Sequence, residues 1–172
     1  MALVYLGLGS NLGDRVGYVQ QAVSLLSGDD NIKLVSTSSF YETEPWNFKT
    51  DNWFVNAVIA ISTQYEPIEL LHVCHRIESQ LGRDRKSESG YNDRTIDIDI
   101  IFYDQKIINE TDENGFDLTI PHPRVHERAF MLVPMLEVAP SFVHPVLNKT
   151  ISDIYDELDD PESVYLYGTR IV

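Results

Sequence analysis

Asp97 and Asp99 are the residues whose type and spacing most directly imply chemistry. They lie in Arg94-Thr95-Ile96-Asp97-Ile98-Asp99-Ile100-Ile101-Phe102-Tyr103, where isoleucine alternates with aspartate and β-branched and aromatic residues follow. That pattern predicts a strand. Successive strand side chains point to opposite faces, so Asp97 and Asp99 share one face while Ile96, Ile98 and Ile100 share the other. The two Cα atoms then stand about 6.6 Å apart, at a rise of about 3.3 Å per residue. Carboxylates this close repel unless a cation neutralises them or one takes a proton. Hard oxygen ligands without His or Cys suit magnesium better than zinc. Taken alone, the strand fits an amphipathic edge with a wet acidic face equally well. The basic company of Arg83, Arg85, Lys86 and Arg94 favours the chemical reading. Carboxylates for a metal beside guanidiniums for phosphate oxygens are the parts of phosphoryl transfer.

The whole chain bounds what such a site could serve. Its 172 residues, 43% of them apolar, suffice for one domain with a real core. A net charge of −14 argues against a nucleic-acid partner, which is itself a polyanion. Against that background, four of the 13 Lys and Arg residues fall between Arg83 and Arg94, which points to a small anionic ligand. Acidic residues gather after Thr150, at Asp153, Asp156, Glu157, Asp159, Asp160 and Glu162. Cys74 is the only cysteine, which leaves no intrachain disulfide and no CxxC motif. With no run of about 18 apolar residues and no basic-then-apolar leader, a cytoplasmic protein with no membrane partner is expected.

The elements that must position the acidic pair follow from periodicity. Ala2–Leu8 reads as a central strand and Arg15–Leu26 as a helix with apolar residues three and four apart. Ile32–Tyr41 reads as one strand, Glu42–Asn52 as a loop, and Trp53–Thr63 as a strand buried on both faces. Pro67 opens a second helix that Gly82 terminates. Arg83–Asp93 reads as a loop into the aspartate strand. Beyond it come a short strand at Ile107-Ile108, a polar loop, an extended Leu118–Pro123, and a third helix from Val125 to Glu137 that Pro134 should kink or shorten. A short acidic helix at Thr150–Leu158 and a strand at Ser163–Tyr167 close the chain. The order β-α-β-β-α-β predicts a ferredoxin-like α+β sandwich, an antiparallel sheet with helices on one face, plus a C-terminal helix and strand.

Further motifs carry alternatives. Gly7-Leu8-Gly9-Ser10-Asn11-Leu12-Gly13 lies where a dinucleotide fingerprint would. Its GxGxxxG spacing and the missing acidic residue after the next strand favour a tight turn passing close to a ligand. His122 and His126 are four apart, but Pro123 and the lack of a third ligand disfavour zinc, and His122 is better placed to bind a phosphate. Asn56 interrupts an apolar strand, and a buried amide needs partners. A flat heterocycle stacked between aromatic rings such as Phe54, Trp46 or Phe130 and read by that amide would account for it.

Several segments together resemble the 6-hydroxymethyl-7,8-dihydropterin pyrophosphokinase family of folate biosynthesis. They are Leu8-Gly9-Ser10-Asn11-Leu12-Gly13-Asp14, Ser39-Phe40-Tyr41-Glu42-Thr43, Phe54-Val55-Asn56-Ala57 and Gly82-Arg83-Asp84-Arg85. Arg94-Thr95-Ile96-Asp97-Ile98-Asp99, Ile120-Pro121-His122-Pro123-Arg124 and Arg128-Ala129-Phe130-Met131-Leu132 follow in the family's order. The resemblance implies transfer of diphosphate from ATP to the pterin hydroxymethyl oxygen, with AMP leaving. It implies two Mg²⁺ ions on Asp97 and Asp99, and Arg83 and Arg94 acting from a loop that closes over the reaction. ATP contacts fall on His75, Glu78, Arg85, Ile98, His122 and Arg128. Pterin contacts fall on Gly9, Thr43, Glu44, Trp46, Phe54, Asn56, Tyr91 and Phe130. The chain departs from the family pattern at Tyr91-Asn92-Asp93-Arg94, where Trp-Gly-Pro-Arg is frequent, and at Glu44, Trp46 and Phe54. A monomer is expected, with its core at about 2–140 and an acidic extension at about 148–172. A non-catalytic nucleotide-binding module and an NADPH-binding reductase are the competing classes.

Overall fold

The computed structural model describes residues 1–44, 52–83, 93–159 and 161–168. In chain order the elements are β1 (Ala2–Ser10), α1 (Arg15–Ser27), β2 (Ile32–Thr37), β3 (Phe40–Thr43), β4 (Phe54–Thr63), α2 (Pro67–Gln80) and β5 (Asp97–Tyr103). Then follow β6 (Ile108–Thr111), β7 (Asp117–Ile120), a 3₁₀ turn (Val125–Glu127), α3 (Ala129–Val138), α4 (Ile151–Asp156) and β8 (Val164–Gly168).

The main sheet runs β5-β1-β4-β3-β8, with β2 also paired to β4, and every pairing is antiparallel. β1 and β2 flank β4 and so run parallel to each other, which is the split βαβ arrangement the element order predicts. The fold is ferredoxin-like.

Four details differ from the sequence reading. The strand expected at Ile32–Tyr41 is two strands, parted at Ser38-Ser39. There Ser38 Oγ accepts from Val58 N–H at 2.9 Å, and Ser39 N–H donates to Glu137 at 2.7 Å. A Ser/Thr run offers hydroxyl partners that compete with the ladder, which is why the break falls there. The polar loop after Ile108 carries pairing at both ends, as β6 and β7 form a separate two-stranded sheet. Of the two effects expected of Pro134, a kink or an early end, the early end does not occur, as α3 continues to Val138. The cost is limited to one i→i−4 bond, and the ring is buried. Finally, helices cover both faces of the sheet.

Alternation assigns those faces. Val4, Leu6 and Leu8 of β1 pack with Ala57, Ile59 and Ile61 of β4 under α1 and α2. Tyr5, Val58 and Ala60 point the other way and pack with Met131, Leu132 and Met135 of α3 and Ile151 and Ile154 of α4. A face carrying that much apolar surface has to be covered. β5 changes its alternation through a bulge: Tyr5 opposes Phe102 and Leu6 opposes Ile100, leaving Ile101 unpaired. Ile101 and Phe102 therefore both join the α3 face.

Helix ends are set locally. Asp14 caps α1, accepting from Gly17 N–H at 3.1 Å. Glu66 and Glu69 form a capping box with Pro67 in the first turn of α2. α2 ends in a Schellman motif. Gly82, at φ +92°, donates to Ser79 O, and Arg83 N–H donates to Glu78 O. That turn is what sends Arg83 back toward the sheet.

Candidate active site

The α3 face of the sheet is not apolar throughout. Toward the C-terminal end of β1 its positions are Gly7 and Gly9, flanked on β5 by Asp99 and Asp97 and on β4 by Val58 and Asn56. Two glycines between four larger side chains make a shallow floor. A cleft opens over it, lined also by Thr43, Glu44, Phe54, Arg94, Arg128, Phe130 and Met131. Gly9 has no room for a side chain, since a Cβ there would sit 2.7 Å from Asn56 Oδ1.

One wall is ionic. Arg83 donates to Asp97 Oδ1 at 2.7 Å, to Glu78 Oε2 at 2.8 Å and to Ile96 O at 3.1 Å. Arg94 donates to Asp97 Oδ2 at 3.3 Å. The buried Glu78 carboxylate also accepts from Ile98 N–H at 2.9 Å. A continuous chain of charge-assisted bonds thus runs from α2 through Arg83 to Asp97, the only way charges this buried are tolerated. Arg83, the first residue after the Schellman turn, is buried because that turn and Glu78 hold it.

The opposite wall is aromatic and amide-bearing. Asn56 Nδ2 donates to Thr43 Oγ1 at 2.7 Å, which fixes the amide with its oxygen over Gly9. Phe54 and Phe130 both line the cleft, and the Arg128 guanidinium lies 5.5 Å from the Phe130 ring centroid.

His122 follows β7 and is tied to β5 by its N–H to Ile101 O at 2.9 Å. Its Nδ1 accepts from Arg124 N–H at 3.1 Å, so a neutral ring carries its proton on Nε2, free to donate. Burial, with Arg128 and Arg124 nearby, pushes its pKa down from 6.5 to about 4, against a smaller opposite pull from Asp97.

Of the residues singled out from sequence, the cleft brings together Gly9, Thr43, Glu44, Phe54, Asn56, Arg94, Asp97, Asp99, Arg128 and Phe130. Arg83, Glu78 and Ile98 lie behind Asp97, outside the lining. The Ile98 side chain belongs to the core under α1 and α2, leaving only its backbone toward α2. His75 packs edge-on against Phe116, centroids 4.8 Å apart, away from the cleft. Arg85, Trp46 and Tyr91 fall outside the described residues. Sequence reasoning gave no role to Asn11, which clamps Arg94: its Oδ1 accepts from Arg94 N–H at 2.7 Å and its N–H donates to Arg94 O at 3.1 Å. A polar residue at the end of a buried strand was the available signal. Gly7, Val58 and Met131 were also missed as lining.

The ferredoxin-like fold thus sets an acidic pair and arginines across one cleft from an amide and two aromatic side chains, which places the chain among α+β domains with a cleft on the sheet face. The family described as 7,8-dihydro-6-hydroxymethylpterin-pyrophosphokinase matches residues 5–140. A 2-amino-4-hydroxy-6-hydroxymethyldihydropteridine pyrophosphokinase of Porphyromonas gingivalis is 42% identical over 146 residues, 84% of this chain and 95% of that protein. The folic acid synthesis protein fol1 of Pneumocystis carinii is 39% identical over 98% of this chain, which spans 22% of its length. The Plasmodium falciparum HPPK-DHPS crystal structure with pteroate shares the fold at a TM-score of 0.74 and 17% identity, covering 91% of this chain and 44% of that one. The chain belongs to the 7,8-dihydro-6-hydroxymethylpterin-pyrophosphokinase family, transferases of folate synthesis. No helix among the described residues is long and apolar enough to cross a membrane.

Proposed function

We propose that this chain transfers diphosphate from ATP to the hydroxymethyl oxygen of 6-hydroxymethyl-7,8-dihydropterin, releasing AMP, as a cytoplasmic monomer. The observation that carries this reading is the cleft itself. Asp97 and Asp99 face the same space as Asn56, Phe54 and Phe130, across a floor of Gly7 and Gly9. Phosphates are thereby brought beside a site shaped for a flat, hydrogen-bonding ring.

The residues fit magnesium. Asp97 and Asp99 supply hard oxygens from adjacent same-face positions of β5, opposite Gly9 and Gly7. Phosphate oxygens and water would complete the coordination of two Mg²⁺ ions held there. When bound, such ions supply neutralisation of the charge on the transferred group. The rest falls to the protein. Phe54 and Phe130 hold the pterin ring, and Asn56, fixed by Thr43, reads its edge. The close passage of the chain at Gly9 lets the ring lie against the sheet, with Glu44 at the rim. Arg94 and Arg128 offer guanidiniums to phosphate oxygens, Arg83 serves the reaction through Asp97, which it holds from behind, and His122 donates from Nε2 as a neutral group. Arg94 is aimed by Asn11. By the family resemblance, Glu78, Ile98 and His75 fall to the nucleoside, Arg85 to the phosphates, and Trp46 and Tyr91 to the pterin.

The test is incubation with ATP, Mg²⁺ and the hydroxymethyl dihydropterin, with AMP and the pterin diphosphate followed by chromatography. Both products are expected. A chain that binds nucleotide and releases no AMP is a binding module, and the reading fails.

A further inference from the structure

The stretch after Thr150 lies beyond the residues that match the family, yet it returns to the cleft. β8 pairs with β3, Val164 opposite Thr43 and Tyr165 opposite Glu42. Two residues ahead of β8, Glu162 Oε1 accepts the Phe130 N–H at 2.9 Å. The N-cap of α3 is Arg128, whose side chain does not cap the helix. A first-turn amide is therefore satisfied by a carboxylate from 32 residues away, which also suits the positive end of the helix. The amide belongs to Phe130, whose ring lines the cleft.

The same segment holds the facing wall. Tyr165 stacks on Trp53, centroids 6.1 Å apart, next to Phe54. Arg15 joins Glu42 at 2.7 Å, Trp53 O at 2.9 Å and the Tyr167 ring at 5.4 Å. β8 is not there to bury a core, for Tyr165, Leu166 and Tyr167 are all more than half exposed. Its contacts converge on the residues beside Phe54 and Phe130.

We propose that Glu162 is a positioning residue for the pterin wall, setting the start of α3 so that Phe130 meets the ring. This deepens the reading above and rests on it for the identity of the ligand. The test uses the full chain with Glu162→Ala and Glu162→Gln. The Ala variant should raise the pterin KM about tenfold, the order of a lost cap, with kcat and the ATP KM within about twofold of wild type. The Gln variant keeps an oxygen that accepts the Phe130 N–H and should recover most of the loss. Titration of the pterin by calorimetry, with no ATP present, should show the same tenfold loss without any turnover. An unchanged pterin KM, an equal rise in both KM values, or a Gln variant as poor as Ala would overturn the proposal. Wild type that binds pterin but makes no AMP would overturn the diphosphokinase reading alone, and the Glu162 effect is then read from the titration.

Discussion

The two faces of the sheet share one backbone and differ in what they are built to hold. Under α1 and α2, the inward positions of β1, β4 and β5 are mostly aliphatic and end in a closed core. Under α3 and α4, the same strands are apolar only at one end. At the other they carry glycine, aspartate and asparagine, and α3 contributes Arg128 and Phe130 in place of aliphatics. Burying a polar group costs free energy unless it is paired. The polar end is therefore stitched by bonds between charged and amide side chains, Arg83 to Asp97 and Asn56 to Thr43, while the closed face needs such bonds only at its margin, as where Tyr103 O–H donates to Tyr65 O at 2.6 Å. The first face provides stability and the second spends some of it on a site.

That division is broken most severely at the acidic pair. Asp97→Ala or Asp99→Ala should lower AMP release by at least about a hundredfold, roughly 2.7 kcal/mol of barrier. The melting temperature should move by less than about 4 °C, because Arg83 keeps Glu78 as a partner. Turnover within about tenfold of wild type would mean that the pair is only a wet edge.

The opposite cut belongs on the closed face. Leu6 is fully buried there. Leu6→Ala should cost about 2–5 kcal/mol in urea unfolding, from lost transfer energy and the cavity left behind. Both substrate KM values should stay unchanged in the molecules that remain folded. If they shift, the two faces are not separable.

The closed face was the more legible of the two in sequence. Period-two and period-3.6 patterns gave β1, β4, β5, α1 and α2 within two or three residues, since their spacing is what burial demands. The acidic pair was legible for the same reason, as alternation put Asp97 and Asp99 on one face. What escaped depends on contacts between distant residues. Ser39 to Glu137, which accompanies the break between β2 and β3, spans 98 positions. Asn11 holding Arg94 spans 83, and Glu162 holding Phe130 spans 32. The ligand roles came from resemblance to a family, with Asn56 foreseen only as a buried amide in need of partners. Gly82 marks a helix end in the sequence without showing that the chain turns back there to bury Arg83.

A smaller effect tests the floor of the site. Gly9→Ala puts a methyl 2.7 Å from Asn56 Oδ1, too close to stand without moving the amide off Thr43. Pterin affinity should fall about tenfold, with ATP affinity held, when each is titrated separately. Equal losses would place Gly9 in the general architecture of the sheet and not in the ring site.

The finest distinction is in pH, at the edge of the polar end. Burial, reinforced by Arg128 and Arg124, holds the folded pKa of His122 at about 4, below its ordinary 6.5. Between those values the unfolded chain takes up a proton that the folded one refuses. The unfolded state binds more protons there, so stability rises with pH across that window and is lost as pH falls toward 4. His122→Gln has no such proton, and its urea midpoint should drop less between pH 7 and pH 4.5 than that of wild type. The histidine stays neutral at pH 7, so its Nε2–H reaches a phosphate as a plain donor and rates should not follow its titration between pH 6 and 8. Identical midpoint shifts in the two proteins would show that His122 titrates as in water. Its place beside the arginines would then be that of a solvated rim residue.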